Sequence, residues 1–286
     1  MRTKLCVVAA SVALAFAGSS AFAAQSGTSY QSGVANDASI TQALNGDATA
    51  VIGQAGATNH ASVDQSSNAA NLQAGTYQSG ASNNSTIFQR GYNEGTGTKV
   101  ANVFQSGVVN LSDVQQTGSG AVTATVIQSG AANNSSVLQE GQNPGEMNII
   151  QSGARNKSVA KQVSSGTSTL TNVYQSGVLN DSATTQSGSG DHIDVVQSGV
   201  RNKSNVVQTA SGYVTGASVY QVGIANDAGI TQDHVSHSSA FVLQGGVGNN
   251  AVISQTGPVP TQVGSNLTAV AVQSGVGNVA HISQSR

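Results

Sequence analysis

Thr171–Gln186 reads TNVYQSGVLNDSATTQ, and its spine of Gln175, Gly177, Asn180, Ser182 and Gln186 returns ten more times along the chain. The pattern is Gln-x-Gly-x-x-Asn-x-Ala/Ser-x-x-x-Gln, with its first Gln at 31, 54, 78, 105, 128, 151, 175, 197, 221, 244 and 273. Successive steps are 22 to 24 residues, apart from one of 27 and one of 29. Self-similarity at that period marks stacked supersecondary units, each too small to bury its own apolar face without a neighbour. Within the quoted unit Val173, Gln175 and Gly177 share one parity, as do Asn180, Ser182, Thr184 and Gln186. A period of two is one face of a β-strand, so each unit reads as strand, turn, strand. Gly and Asn bracket the turn as residues that tolerate unusual backbone angles or bond locally.

Two residues before the first Gln stand Ile52, Val103, Val126, Ile149, Val173, Val195, Val219 and Val242. Nine after it stand Ile40, Val63, Ile87, Val114, Val137, Val206, Ile230, Ile253 and Ile282. Branched residues suit a buried pleated surface, and these two columns are the expected apolar core. Ser29, Thr76, Ala160 and Thr184 occupy the same columns and mark weaker rungs. Arcs rich in Gly, Ser, Thr and Asn, such as Thr117–Gly120 and Ser187–Gly190, return the chain to the next rung. They hold all three prolines, Pro144, Pro258 and Pro260, where no ladder donor is lost. The long steps place inserted loops at Arg90–Lys99 and Thr256–Asn266.

Stacking sets every Gln above a Gln and every Asn above an Asn, so each amide donates to one neighbour and accepts from the other. A lone buried amide is costly, whereas a continuous ladder satisfies its members and penalises a register slip. The ladder residues of the first rung are Gln31, Gly33, Asn36, Ala38 and Gln42, and of the last Gln273, Gly275, Asn278, Ala280 and Gln284. Gly and Ala/Ser leave space beside the amides. The expected fold is all-β, a flat two-sided β-solenoid of eleven strand-turn-strand repeats with two strands per rung and cross-β stacking. The residue before the first Gln faces outward by parity and is Tyr30, Tyr77, Phe104, Tyr174 or Tyr220 in five units. This apolar stripe is a candidate for lateral association or adhesion, set against plain strand propensity. Asp37, Lys157, Asp181, Lys203 and Asp227 lie outward on the second strand as solvated charges that moderate aggregation.

Residues 1–23 begin Met-Arg-Thr-Lys, run apolar from Leu5 to Ala17 and reach Ala21-Phe22-Ala23. That is the layout of a secretory signal peptide cleaved after Ala23, which leaves 24–286 as the repeat array. The apolar run is too short for a membrane span, so no stable membrane insertion is expected. The only cysteine is Cys6, inside this leader, so the mature chain offers no disulfide, thiolate metal site or cysteine nucleophile. Removing Arg2 and Lys4 leaves 8 basic against 12 acidic residues, a net charge of −4 that argues against nucleic acid as a partner. Charged residues are 8% of the chain, a composition compatible with disorder, but disorder does not require Gln, Gly and Asn at fixed offsets eleven times.

The unit, with Gln31, Gly33, Asn36, Ala38 and Gln42 and their equivalents in every later rung, closely resembles the curlin repeat of the secreted subunits of bacterial curli amyloid fibres. The resemblance spans nearly all of the mature chain. It implies an extracellular, cell-surface amyloid subunit, exported through an outer-membrane secretion pore, started by a nucleator subunit and polymerised with itself into biofilm matrix fibres. This chain departs from the family in having more repeats, in a variable residue six before the first Gln, and in the short stretch between Ala23 and Gln31 that replaces a longer pore-addressing segment. Near-ideal repeats favour a major subunit over a minor nucleator.

No catalytic, cofactor or metal site is expected. Asp233-His234-Val235-Ser236-His237 puts its two histidines on opposite faces of an extended chain, and Asp191-His192-Ile193-Asp194 reads as a solvated arc. His60 and His281 sit singly. Serines near Asp and His gather no nucleophile, base and oxyanion donors at one place. A monomeric solenoid adhesin is the alternative, and an ice-binding surface is disfavoured by the mixed outward residues Ser39, Thr41, Ser62 and Asp64. Capping separates adhesin from fibre subunit, and the chain ends at Ser285-Arg286 directly after the last repeat, without an expected cap.

Overall fold

A computed structural model describes residues 24–44, 46–67, 71–91, 97–141, 144–164, 168–209, 215–257 and 266–286. The leader, Pro258 and Pro260 lie outside the described residues. The chain is a two-sheet β-solenoid of eleven rungs. One sheet holds the first strand of every rung: β1 (Gln25–Val34), β3 (Ala48–Ala57), β5 (Leu72–Ala81), β7 (Lys99–Val108), β9 (Val122–Ala131), β11 (Gly145–Ala154), β13 (Thr169–Val178), β15 (His192–Val200), β17 (Gly216–Ile224), β19 (Ser239–Val247) and β21 (Thr268–Val276). The other holds the second strands: β2 (Asp37–Leu44), β4 (His60–Ser67), β6 (Asn84–Gly91), β8 (Leu111–Gly118), β10 (Asn134–Gly141), β12 (Lys157–Ser164), β14 (Asp181–Gly188), β16 (Lys203–Thr209), β18 (Asp227–Asp233), β20 (Asn250–Thr256) and β22 (Val279–Ser285).

Neighbours within each sheet are parallel and in the order of the rungs. The repeat sets the register, because Gln151 stands against Gln175 and Gly153 against Gly177, while Ser158 meets Ser182 and Gln162 meets Gln186. The two long steps leave this register intact: Gln78 still pairs with Gln105 and Gln244 with Gln273. Extra residues are therefore absorbed between rungs. Lys99 corrects the loop expected over Arg90–Lys99, since Arg90 lies in β6 and Lys99 opens β7 as a fully buried side chain. From β2 to β14 the second strands run two residues past the second Gln, so Thr117 and Ser187 are strand residues, not turn residues.

Strict alternation of buried and exposed residues, BiBiBeBe along Thr169–Ser176, is what a parallel strand with one wet face requires. Both expected core columns are inside: Ile52, Val103, Val173 and Val219 from the first sheet meet Val63, Val114, Val206 and Ile253 from the second, all fully buried. Ala50, Ala101, Ala124 and Ala217, four before the first Gln, widen that core by a third column that alternation alone implied. Of the polar residues in these columns, Thr76 Oγ1 reaches Ser85 Oγ across the interior at 3.3 Å, whereas Thr184 Oγ1 is buried without a partner.

Candidate assembly surface: ladders, rung edges and outer stripes

From Gln54 to Gln244 each first Gln uses both amide hydrogens. Gln175 Nε2 donates to Gln197 Oε1 at 2.8 Å and to the Lys157 carbonyl of the facing sheet at 2.8 Å, while its Oε1 accepts from Gln151 at 2.7 Å. The second Gln repeats the arrangement: Gln162 donates to Gln186 at 3.0 Å, and Gln186 to Gln208 at 3.1 Å and to Leu170 O at 3.2 Å. These two ladders run from Gln31 and Gln42 to Gln273 and Gln284, with every step donating toward the later rung. The Asn ladder runs the other way. Asn180 Nδ2 donates to Asn156 Oδ1 at 3.1 Å, and Asn180 Oδ1 accepts the Asn202 backbone N–H at 3.1 Å. The same Nδ2 also closes the turn on Ser176 O at 2.9 Å and Gly199 O at 3.2 Å.

One role read from the sequence is corrected here, and of the two roles open to Asn the local bond is the one it takes. Gly177 is not a spacer beside the amides. Its φ is +108°, and a Cβ there would fall 2.1 Å from the Gly199 carbonyl oxygen of the next rung, a contact repeated from Gly33 to Gly246. The glycine column lets backbones approach at the corner, a conformation and a distance that side chains forbid. Nor does Asn supply the unusual backbone angle: that falls to the residue before it, including Val109 at φ +59° and Leu179 at +61°. The Ala/Ser column behaves as a spacer. Ser182 is bonded to Ser204 at 3.1 Å, but Ser112, Ser135 and Ser158 have buried hydroxyls without partners, so the column asks for small volume more than for a bond.

On the outer face Tyr30, Tyr77, Phe104 and Tyr174 are exposed, and Tyr220 is half-buried. Tyr77 and Phe104 stack at 5.3 Å with planes 8° apart, and Tyr220 tilts against Phe241 at 5.6 Å. A groove of about 520 Å³ runs between Tyr30, Gly53, Tyr77, Phe104 and Ile127 and the small column of Ser32, Ala55, Ser79 and Ser106. A second apolar line was missed from the sequence. The residue after the turn glycine is Val, Ala or Ile in all eleven rungs and stands at the solenoid corner, with Val34 70%, Val108 48%, Ile224 48% and Val276 77% exposed. The signal was present in the spacing, but parity within a strand does not say which residues a corner exposes. Lys157, Asp181, Lys203 and Asp227 stand on consecutive rungs of the second sheet, alternating in sign.

The expected solvated arc at Asp191–Asp194 is also corrected: Asp191 and Ile193 are buried, and only His192 and Asp194 face outward, bonded at 2.6 Å. Burial raises the Asp191 carboxyl to about 6, with weaker opposing help from Thr215. Burial likewise lowers the Lys99 ammonium to about 8, although its Nζ donates to Gly120 O at 2.9 Å. His234 bonds Asp233 at 2.7 Å and His60 bonds Asp37 at 3.1 Å. Among the described residues no three His, Cys, Asp or Glu side chains gather as a metal site.

At the ends of the stack Gln31 and Gln42 are half-buried, and among the described residues β1, β2, β21 and β22 each pair on one side only. These rung edges carry the unused halves of the ladders. No protein-family model matches the chain, and no curated protein matches it.

Proposed function

We propose that the mature chain is the structural subunit of an extracellular, curli-like amyloid fibre that grows end to end by stacking rung on rung. One observation carries this reading: the interface between successive rungs is the same from first to last, with two Gln ladders, one Asn ladder and a close glycine contact. A rung edge that already accepts its neighbour inside the molecule is a template for the edge of another copy. The ladders are complementary end to end. Gln273 and Gln284 can donate onward as Gln244 and Gln255 do, and Gln31 and Gln42 offer carbonyl oxygens that no earlier rung occupies among the described residues. With the leader expected over residues 1–23, the resemblance to curlin repeats supports secretion and a cell-surface matrix role, through a pore and from a nucleator.

Fibre diffraction should give a meridional spacing of about 4.7–4.8 Å, with each copy adding roughly 50 Å. Gly275 supplies a sharper test. Its Cβ would meet only Asn278 Nδ2 at 3.6 Å, because no later rung covers it, unlike Gly177. Gly275→Ala should fold with a modest loss, yet fail to extend seeds once a second copy brings its Gly33 carbonyl there. Elongation at the wild-type rate would overturn stacking on this edge. A monomeric adhesin would instead stay monomeric by sedimentation and use the corner ridge and aromatic stripe directly.

A further inference from the structure

We propose that Asp191 makes the array acid-hardening: a proton taken up inside the stack removes an unpaired anion buried between the rungs of Thr169 and Thr215. The position six before the first Gln is buried in most rungs, as Ala48, Leu72 and Val122 on one side of the stack and Thr169, Asp191 and Thr215 on the other. Register sets the last three one above another, since Leu170 pairs with His192 and His192 with Gly216. Thr215 Oγ1 donates to Asp191 Oδ1 at 2.6 Å. The other carboxyl oxygen, Oδ2, is buried without a partner, and so is Thr169 Oγ1 in the adjoining rung. A threonine hydroxyl within reach would already donate to an ionised Oδ2, so the second oxygen of the anion is buried with no donor at all.

Among the described residues no charged group acts on the carboxyl, which feels only burial and the Thr215 hydrogen bonds. Thr169 precedes Leu170 on β13, Thr215 precedes β17, and β14 ends in the buried Gly188. The titratable groups on the surrounding strands, Asp181 on β14, His192 and Asp194 on β15, and Lys203 on β16, take the outward positions of those strands. At the end of β18, His234 is engaged with Asp233. An ionised Asp191 is therefore held by one threonine alone. Protonation neutralises the carboxyl, and the cost of an unpaired buried anion disappears.

The folded array binds this proton more tightly than the unfolded chain, because burial lifts the carboxyl to about 6 from its ordinary value of 3.8. Stability thus grows as pH falls through 6 and levels off near the ordinary carboxylate range. Between pH 7.5 and 5 the opening equilibrium of these rungs should tighten about tenfold. This follows from folding alone and holds whether or not the chain forms fibres.

Amide hydrogen exchange on the full mature chain tests it at the Leu170, His192 and Gly216 N–H groups, which bond to the Asp191, Thr215 and Ser238 carbonyls. Protection at pH 5 and 7.5, corrected for intrinsic exchange, is compared with that of Ser82 and Asn84 in a rung without a buried carboxyl. The expected result is about tenfold greater protection at pH 5 for the three amides only. Asp191→Asn should remove the dependence and hold the pH 5 level throughout. A wild-type change no larger than that of the controls, or one that persists in Asp191→Asn, overturns the proposal. If the variant does not fold, the wild-type comparison decides by itself.

Discussion

A ladder amide in this fold has three obligations, and Gln175 meets all of them: it donates to Gln197 and Lys157 O and accepts from Gln151. Gln175→Ala strands a donor on Gln151 and acceptors on Gln197 and Lys157, at about 1–3 kcal/mol for each group left buried and unpaired. Ser176, next along the strand, is exposed, and Ser176→Ala should change stability by less than ~0.5 kcal/mol. Denaturant midpoints of the two variants check this, and equal values would place Gln175 outside the stabilising ladder. Val109 is the opposite case. A β-branched residue at φ +59° is strained, while the equivalent Gly248 and Gly277 have open space around them. Val109→Asn should stabilise the array by about 1 kcal/mol, read as a raised unfolding midpoint.

Parallel pairing assigns each strand's donors to one side or the other. In the second sheet Asn250 N–H donates forward to Asn278 O, while Gly257 N–H donates back to Asp233 O. Donors alternate along a parallel strand, so on β22 the Ile282 N–H points toward β20 and the His281 N–H toward the free edge. Proline at 282 breaks a bond inside the chain, and proline at 281 removes one that only a second copy would use. His281→Pro should keep most of the stability of the isolated array yet slow seeded elongation, while Ile282→Pro loses stability as well. Matched thermal melts and elongation rates separate the two, and unimpaired elongation by His281→Pro would remove β22 as a docking edge.

Across the whole molecule, two ionisable side chains are drawn into the same corner column, Asp191 and Lys99. Lys99 acts with the reverse sign. Its ammonium is lowered by burial to about 8 from an ordinary value of 10.5, so the folded array carries a strained charge below pH 8 and is relieved as pH rises from 8 toward 10.5. That gain amounts to at most about 3 kcal/mol. Lys99→Met should raise stability at pH 7 and abolish the alkaline rise, as followed by melting temperature from pH 7 to 10. Most proteins are steadiest near neutrality, but this pair makes neutral pH the weakest part of the range.

The repeat by itself determined the architecture, because a side chain recurring at a fixed offset has only its own copies to stack on, and period-two parity says which of them face inward. Rung number, sheet count, core columns such as Val173 and Val206, and the ladders through Gln175, Asn180 and Gln186 were all legible in that way. What the tertiary structure alone decided concerns corners and edges, where parity ends. Gly177 serves backbone approach because the next rung's carbonyl lies 2.1 Å from its missing Cβ, a distance set between rungs and written in neither. The exposed ridge of Val34, Val108 and Ile224 follows from the bend at that corner. Asp191 and Lys99 read as arc residues, yet both are buried: Lys99 because β7 already begins there, and Asp191, just before β15, because its carbonyl accepts the Leu170 N–H and holds it in the stack.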